Sequence, residues 1–275
     1  MRGLPNRTPF NLLAITAVSL LLNSCNVYSP LNSPSGDEQI LSAARACLDQ
    51  ADYSGALVLY QKLSSNYSNT VASESAYAIL DENGADFGAI ASSFGKSPNG
   101  KGLSALANAM ILGAGETRRL ALYQAYQKAA LITGNPTLQG FVKFMASIAL
   151  AAEMLAENAG ADSIMSYSDL AEGGSSCTTT ACGLGQASCN AATGGKFSTS
   201  VFAGLDAAQP TGTNPSLDQL YSAITQAVSG LSAMGAAGGT SSSFTHLLGT
   251  DGLPSVGTMQ AACFRATLIA QGIGG

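Results

Sequence analysis

No stretch of this chain alternates β-branched with polar residues for long enough to make a strand, whereas apolar residues recur at three- and four-residue spacing through most of it. That pattern predicts an all-α fold, a helical bundle. The side chains that carry it are small: the chain has 45 Ala and 31 Gly among 275 residues, with no Trp. Small side chains let helix axes approach closely and bury little area per contact, so stability must come from many close contacts. Only 11% of residues are charged, and the formal charge is −5. A disordered chain needs low hydropathy and high net charge, and is excluded. A general nucleic-acid binder needs clustered Lys and Arg, so no nucleic-acid partner is expected.

The spacing predicts helices over most of 35–158. Ser35-Gly36-Asp37-Glu38 fits a capping box and opens a helix with Ile40, Ala44, Cys47 and Leu48 on one face. A second is expected from Tyr53 to Ser65, with Ala56, Leu59, Tyr60 and Leu63 inward, and a third from Val71 to Asp81. Shorter ones follow at Phe87 to Phe94 and Leu103 to Leu112. Glu116 to Ile132 carries Leu122, Tyr126 and Ala130 on one face, with Glu116 where the helix dipole favours an anion. Asn135-Pro136 is an N-cap and N1 pair that opens a long apolar helix to Asn158. Lys143, Glu153 and Glu157 interrupt that helix, so it reads as the buried centre of a bundle and not as a membrane span. Asn214-Pro215 opens another, with Leu217, Leu220, Ile224, Leu231 and Met234 on one stripe, and a last helix is expected from Ser255 to Gln271.

The first residues read as an address. Arg2 and Arg7 precede a 13-residue apolar run from Phe10 to Leu22, too short to span a bilayer. Leu22-Asn23-Ser24-Cys25 follows and resembles the lipobox of bacterial lipoproteins. The resemblance implies cleavage after Ser24, so that residues 1–24 are a signal peptide. It also implies a diacylglycerol and acyl anchor on Cys25, with no other cofactor. Asn26 after the lipidated Cys implies the outer membrane, with the protein facing the periplasm or the cell surface. Residues 25–36 then form a Pro- and Ser-rich tether, and 37–275 the α-helical domain. Within it, 37–82 carries the first helices, 83–171 a helical core, 172–196 a Cys-rich loop and 197–275 the C-terminal helices.

Residues 40 to 67, ILSAARACLDQADYSGALVLYQKLSSNY, resemble a tetratricopeptide helix pair. Ala43 and Ala44 stand at its Leu-Gly pair, Asp52-Tyr53-Ser54-Gly55-Ala56 at its D-Y-x-x-A turn, and Tyr60 at its aromatic position. SNTVASESAYAIL, from Ser68, resembles the start of a next repeat, as in outer-membrane tetratricopeptide lipoproteins of the barrel-assembly type. Ile40, Leu63 and Ser68 depart from the motif's Trp, Ala and Pro, and no such period continues beyond Asn83. The resemblance implies a protein-binding adaptor or scaffold in envelope assembly or transport, with an envelope protein as partner. Tyr53, Tyr60, Tyr67 and Tyr77 form the candidate partner-binding surface, and Tyr53 and Tyr60 fit a core role equally well. The alternative is a binding protein for a small apolar ligand held within the Ala- and Gly-rich bundle.

Five cysteines remain besides Cys25. Cys177, Cys182 and Cys189 lie in the Gly-, Ser- and Thr-rich loop, and an exported address permits disulfides. The expected pattern joins Cys263 to one loop Cys, pairs the other two, and leaves Cys47 free and buried. The C-x4-C-x6-C spacing is not a usual zinc set, and His246 is the chain's single imidazole, so no metal is expected. No catalytic constellation stands out: His246 and Asp251 lack a nucleophile elbow. Glu153 and Glu157 share a helix face and read as a solvated helix end. Arg118-Arg119 reads as a solvated pair. Gly113-Ala114-Gly115 looks only superficially like a phosphate loop. The chain is therefore read as a non-enzyme.

Overall fold

The computed structural model describes residues 33–96, 102–159 and 215–235, and Leu268. These hold eight α-helices and no strand, so the fold is all-α as the spacing predicts. The helices are α1 (Asp37–Asp49), α2 (Tyr53–Tyr60), α3 (Ser68–Glu82), α4 (Phe87–Lys96), α5 (Gly102–Met110), α6 (Glu116–Ala130), α7 (Pro136–Asn158) and α8 (Leu217–Ala233). The chain divides into two compact units, Met1–Asn66 and Tyr67–Gly275.

The first unit contains α1 packed on α2. Gly36, at φ 82°, caps α1 in the left-handed region that favours glycine. The expected capping box is therefore not formed, because Gly36 has no side chain to accept a first-turn N–H. Ser35 donates its N–H to Gln39 Oε1 at 3.0 Å, so Gln39 and not Glu38 reaches back. The buried face of α1 is Leu41, Ala43, Ala44, Ala46 and Cys47. Asp52 caps α2 by accepting the Gly55 N–H at 3.0 Å. This helix stops at Tyr60, well short of the expected Ser65. The chain leaves the helix in tighter turns, Lys62 N–H donating to the Leu59 carbonyl at 3.0 Å and Leu63 N–H to the Tyr60 carbonyl at 3.2 Å, and the Ser64 N–H and Oγ donate to the Asp37 carboxylate at 3.1 and 2.5 Å.

In the second unit α7 is the central element, packed against α8, α6, α5 and α3. Asn135 caps it, accepting the Leu138 N–H at 3.0 Å, with Pro136 in its first turn. The helix is long and apolar enough to cross a membrane by length and composition, but 78% of its most apolar window is buried inside the fold. Met145, Ile148, Ala152 and Leu155 are all buried, as expected of a bundle's centre. The α7–α8 crossing is close because it is glycine on glycine: a Cβ on Gly140 would lie 2.5 Å from the Gly230 carbonyl oxygen.

The expected opening of α8 at Asn214-Pro215 is corrected to Ser216, whose hydroxyl and Gln219 form a capping box. On α6 the buried face is Leu122, Ala125 and Ala129, one step round from the expected Leu122, Tyr126 and Ala130. Asn69 at the start of α3 holds the α6–α7 turn through both polar atoms. It donates to the Thr133 carbonyl at 2.7 Å and accepts the Thr133 N–H at 2.8 Å.

Candidate functional site

The polar chemistry of the second unit is concentrated where the end of α5, the start of α6 and the end of α7 meet. Glu153 and Glu157 are four residues apart on α7, hence on one face. Arg118 and Arg119 are adjacent on α6 and diverge by about 100° around the helix, so each reaches a different carboxylate. Arg118 Nε donates to Glu153 Oε2 at 2.6 Å, and Arg119 Nη1 donates to Glu157 Oε2 at 3.0 Å. The expected solvated helix end and solvated basic pair are thus corrected. The side chains of Glu153 and Arg119 are fully buried, and Glu157 is 7% exposed. Burial of a charge is tolerated because each meets an opposite charge.

Glu153 does a second job. Its Oε1 accepts the Gly115 N–H at 2.8 Å, at the N-terminus of α6. That end of a helix attracts anions. A carboxylate from the protein's own α7 occupies it, so the Gly113-Ala114-Gly115 turn works as an internal junction. Arg118 completes the junction by donating to the carbonyls of Leu112, at 3.1 Å, and Met110. These are orphan carbonyls at the end of α5. Their capture, with Gly113 at φ 85°, explains why α5 ends at Met110 and not at Leu112.

Burial pushes the Glu153 carboxyl up, opposed by the Gly115 N–H and Arg118. Burial pushes Glu157 up to about 7, against Arg119 and reinforced by the charges of Glu153 and Glu116. Among the described residues no group of three or more His, Cys, Asp or Glu is placed to hold a metal ion.

The residues singled out from the sequence fall elsewhere. Tyr60 is only 1% exposed, which removes it from any surface: it is the aromatic plug of the α1–α2 pair, beside Ala56. Tyr53, Tyr67 and Tyr77 are half-buried, and they are split between the two units. Cys47 is free and buried, as expected, and burial and the neighbouring Asp52 push its thiol up. Cys25, Cys177, Cys182, Cys189, Cys263, His246 and Asp251 lie outside the described residues. The sequence shows only that Glu153 and Glu157 share a helix face and that Arg118 and Arg119 are adjacent, in a chain where charge is scarce.

Comparison with protein-family models, curated proteins and solved structures finds no match to this chain, so nothing there points to an enzyme family.

Proposed function

We propose that this is a lipid-anchored envelope protein whose helical part binds a protein partner, as an adaptor or scaffold in outer-membrane or periplasmic assembly or transport. The anchor rests on the leader and Leu22-Asn23-Ser24-Cys25. The observation that carries the binding reading is the interior of the α1–α2 pair: Ala43, Ala44, Ala56 and Tyr60 are each 2% exposed or less. Small residues packed beside one aromatic are what a tetratricopeptide-like hairpin needs. Of the four candidate tyrosines, Tyr53 in the first unit, and Tyr67 and Tyr77 in the second, keep surface to offer a partner. A small apolar ligand within the bundle has less support, because the α7 and α8 backbones touch at Gly140 and Gly230 and leave no room there.

Crosslinking of the lipidated protein in intact cells, followed by mass spectrometry of the captured proteins, tests this reading. One dominant envelope partner, lost in a Cys25→Ala control, supports it. Reproducible absence of any partner overturns the adaptor role.

A further inference from the structure

We propose that Asn83 is a site of spontaneous deamidation, gated by the cap that ends α3. Asn83-Gly84 is an asparagine followed by a residue with no side chain. In such a pair the backbone nitrogen of the glycine meets the least hindrance in attacking the asparagine side chain. The bond from the Gly84 nitrogen to Asn83 Cγ forms as the Cγ–Nδ2 bond breaks, and ammonia leaves with the Gly84 amide proton. Water then opens the cyclic imide at either of its carbonyls, which leaves aspartate or isoaspartate at position 83. No oxidant or reductant is needed.

The fold requires this glycine and also restrains the reaction. Gly84 stands at φ 70°, in the left-handed region that a helix cap of this kind needs. Its N–H donates to the Asp81 carbonyl at 3.0 Å, and the Ala85 N–H to the Leu80 carbonyl at 2.9 Å, the paired ending of a Schellman motif. Asn83 Nδ2 donates to the Ile79 carbonyl at 2.7 Å. The attacking nitrogen and the departing amide are thus both tied to the last turn of α3, and ring closure waits for that turn to open. Gly84 is exposed, and a Cβ on it would meet nothing within 4 Å, so water reaches the opened cap. The product then keeps the turn open. A carboxylate cannot donate to the Ile79 carbonyl, and it adds negative charge at the negative end of a helix whose last turn already holds Asp81 and Glu82. Next in the chain come the fully buried Ala85, and Asp86, which accepts the Ala89 N–H at 2.9 Å in the first turn of α4. The α3–α4 corner is therefore the part that loosens as the molecule ages.

Tryptic mapping by mass spectrometry of the full chain, incubated at mildly alkaline pH in native buffer and in urea, tests the proposal. Cuts after Lys62, Lys96 and Lys101 put Asn83 and the chain's other Asn-Gly pair, Asn99-Gly100, in separate peptides. Acidic product should form at Asn83 in both samples, about ten- to a hundredfold more slowly in the folded chain. Equal rates overturn the gating, and absence of product from the folded chain after about a hundred half-times of the urea sample overturns the site. Amide hydrogen exchange at Gly84 and Ala85 in Asn83→Asp reads the consequence. Protection there should fall at least about tenfold, and unchanged protection overturns the loosening. Should that variant fail to fold, wild-type chain deamidated in native buffer and separated by its added negative charge gives the same reading.

Discussion

Glu153 and Arg118, 35 residues apart in sequence, meet at 2.6 Å with the carboxylate wholly out of water. The same carboxylate caps α6 through Gly115, so one side chain ties α7 to α6, and Arg118 carries the tie on to the end of α5. Glu153→Ala leaves a guanidinium and a helix N–H without their acceptor, and should cost about 3–5 kcal/mol in urea unfolding. Glu153→Gln keeps a carbonyl oxygen for one of the two donors and should cost less. Equal costs for the two substitutions would show that the Gly115 cap adds nothing.

The Gly140–Gly230 crossing predicts opposite outcomes for two Gly→Ala changes. At Gly140 the new methyl meets the Gly230 carbonyl and the Ala233 side chain, so Gly140→Ala should destabilise by about 1–3 kcal/mol. At Gly95, in the last turns of α4, a methyl meets nothing within 4 Å. Gly95→Ala should stabilise by about 0.5–1 kcal/mol through helix propensity. Thermal melts of both variants against wild type check the pair.

Asp52 both caps α2 and lies beside the Cys47 thiol. Asp52→Ala should cost about 1 kcal/mol of cap energy, and Asp52→Asn much less, since an amide oxygen still accepts from Gly55. Both variants remove the negative charge that helps to hold the thiol in its protonated form. The pH at which Cys47 begins to react with a thiol reagent should therefore fall in both. The loss of stability separates the cap from the charge.

Asn69 donates to and accepts from Thr133 across 64 residues. Asn69→Asp keeps the acceptor and loses the donor, so it should cost about 1 kcal/mol, with Asn69→Ala costing more. Chemical denaturation of the two variants measures the difference.

Helix positions were readable because their signals are local. Asn135 and Pro136 announce the start of α7 before any contact is known, whereas its unbroken burial from Phe144 to Ala156 follows from helices packed all round it. Helix ends were less readable where a distant group holds them. Asp37 takes the Ser64 N–H and holds the chain just past the end of α2; Arg118 takes the Met110 and Leu112 carbonyls at the end of α5. Neither partner is visible within a window of local sequence.

The ion-pair cluster was least legible. On one helix, Glu153 and Glu157 look like any solvated pair, because helical spacing says which residues share a face and not what covers that face. By itself the sequence determined the all-α class, most helix starts and the buried α7, since periodicity, capping chemistry and apolar spacing act over a few residues. Only the tertiary structure decided that Arg118 and Arg119 meet those carboxylates out of water and that Tyr60 is core. It also decided that α7 and α8 touch through Gly140 and Gly230. Those outcomes depend on which helix lies against which, and that is set by packing across tens of residues.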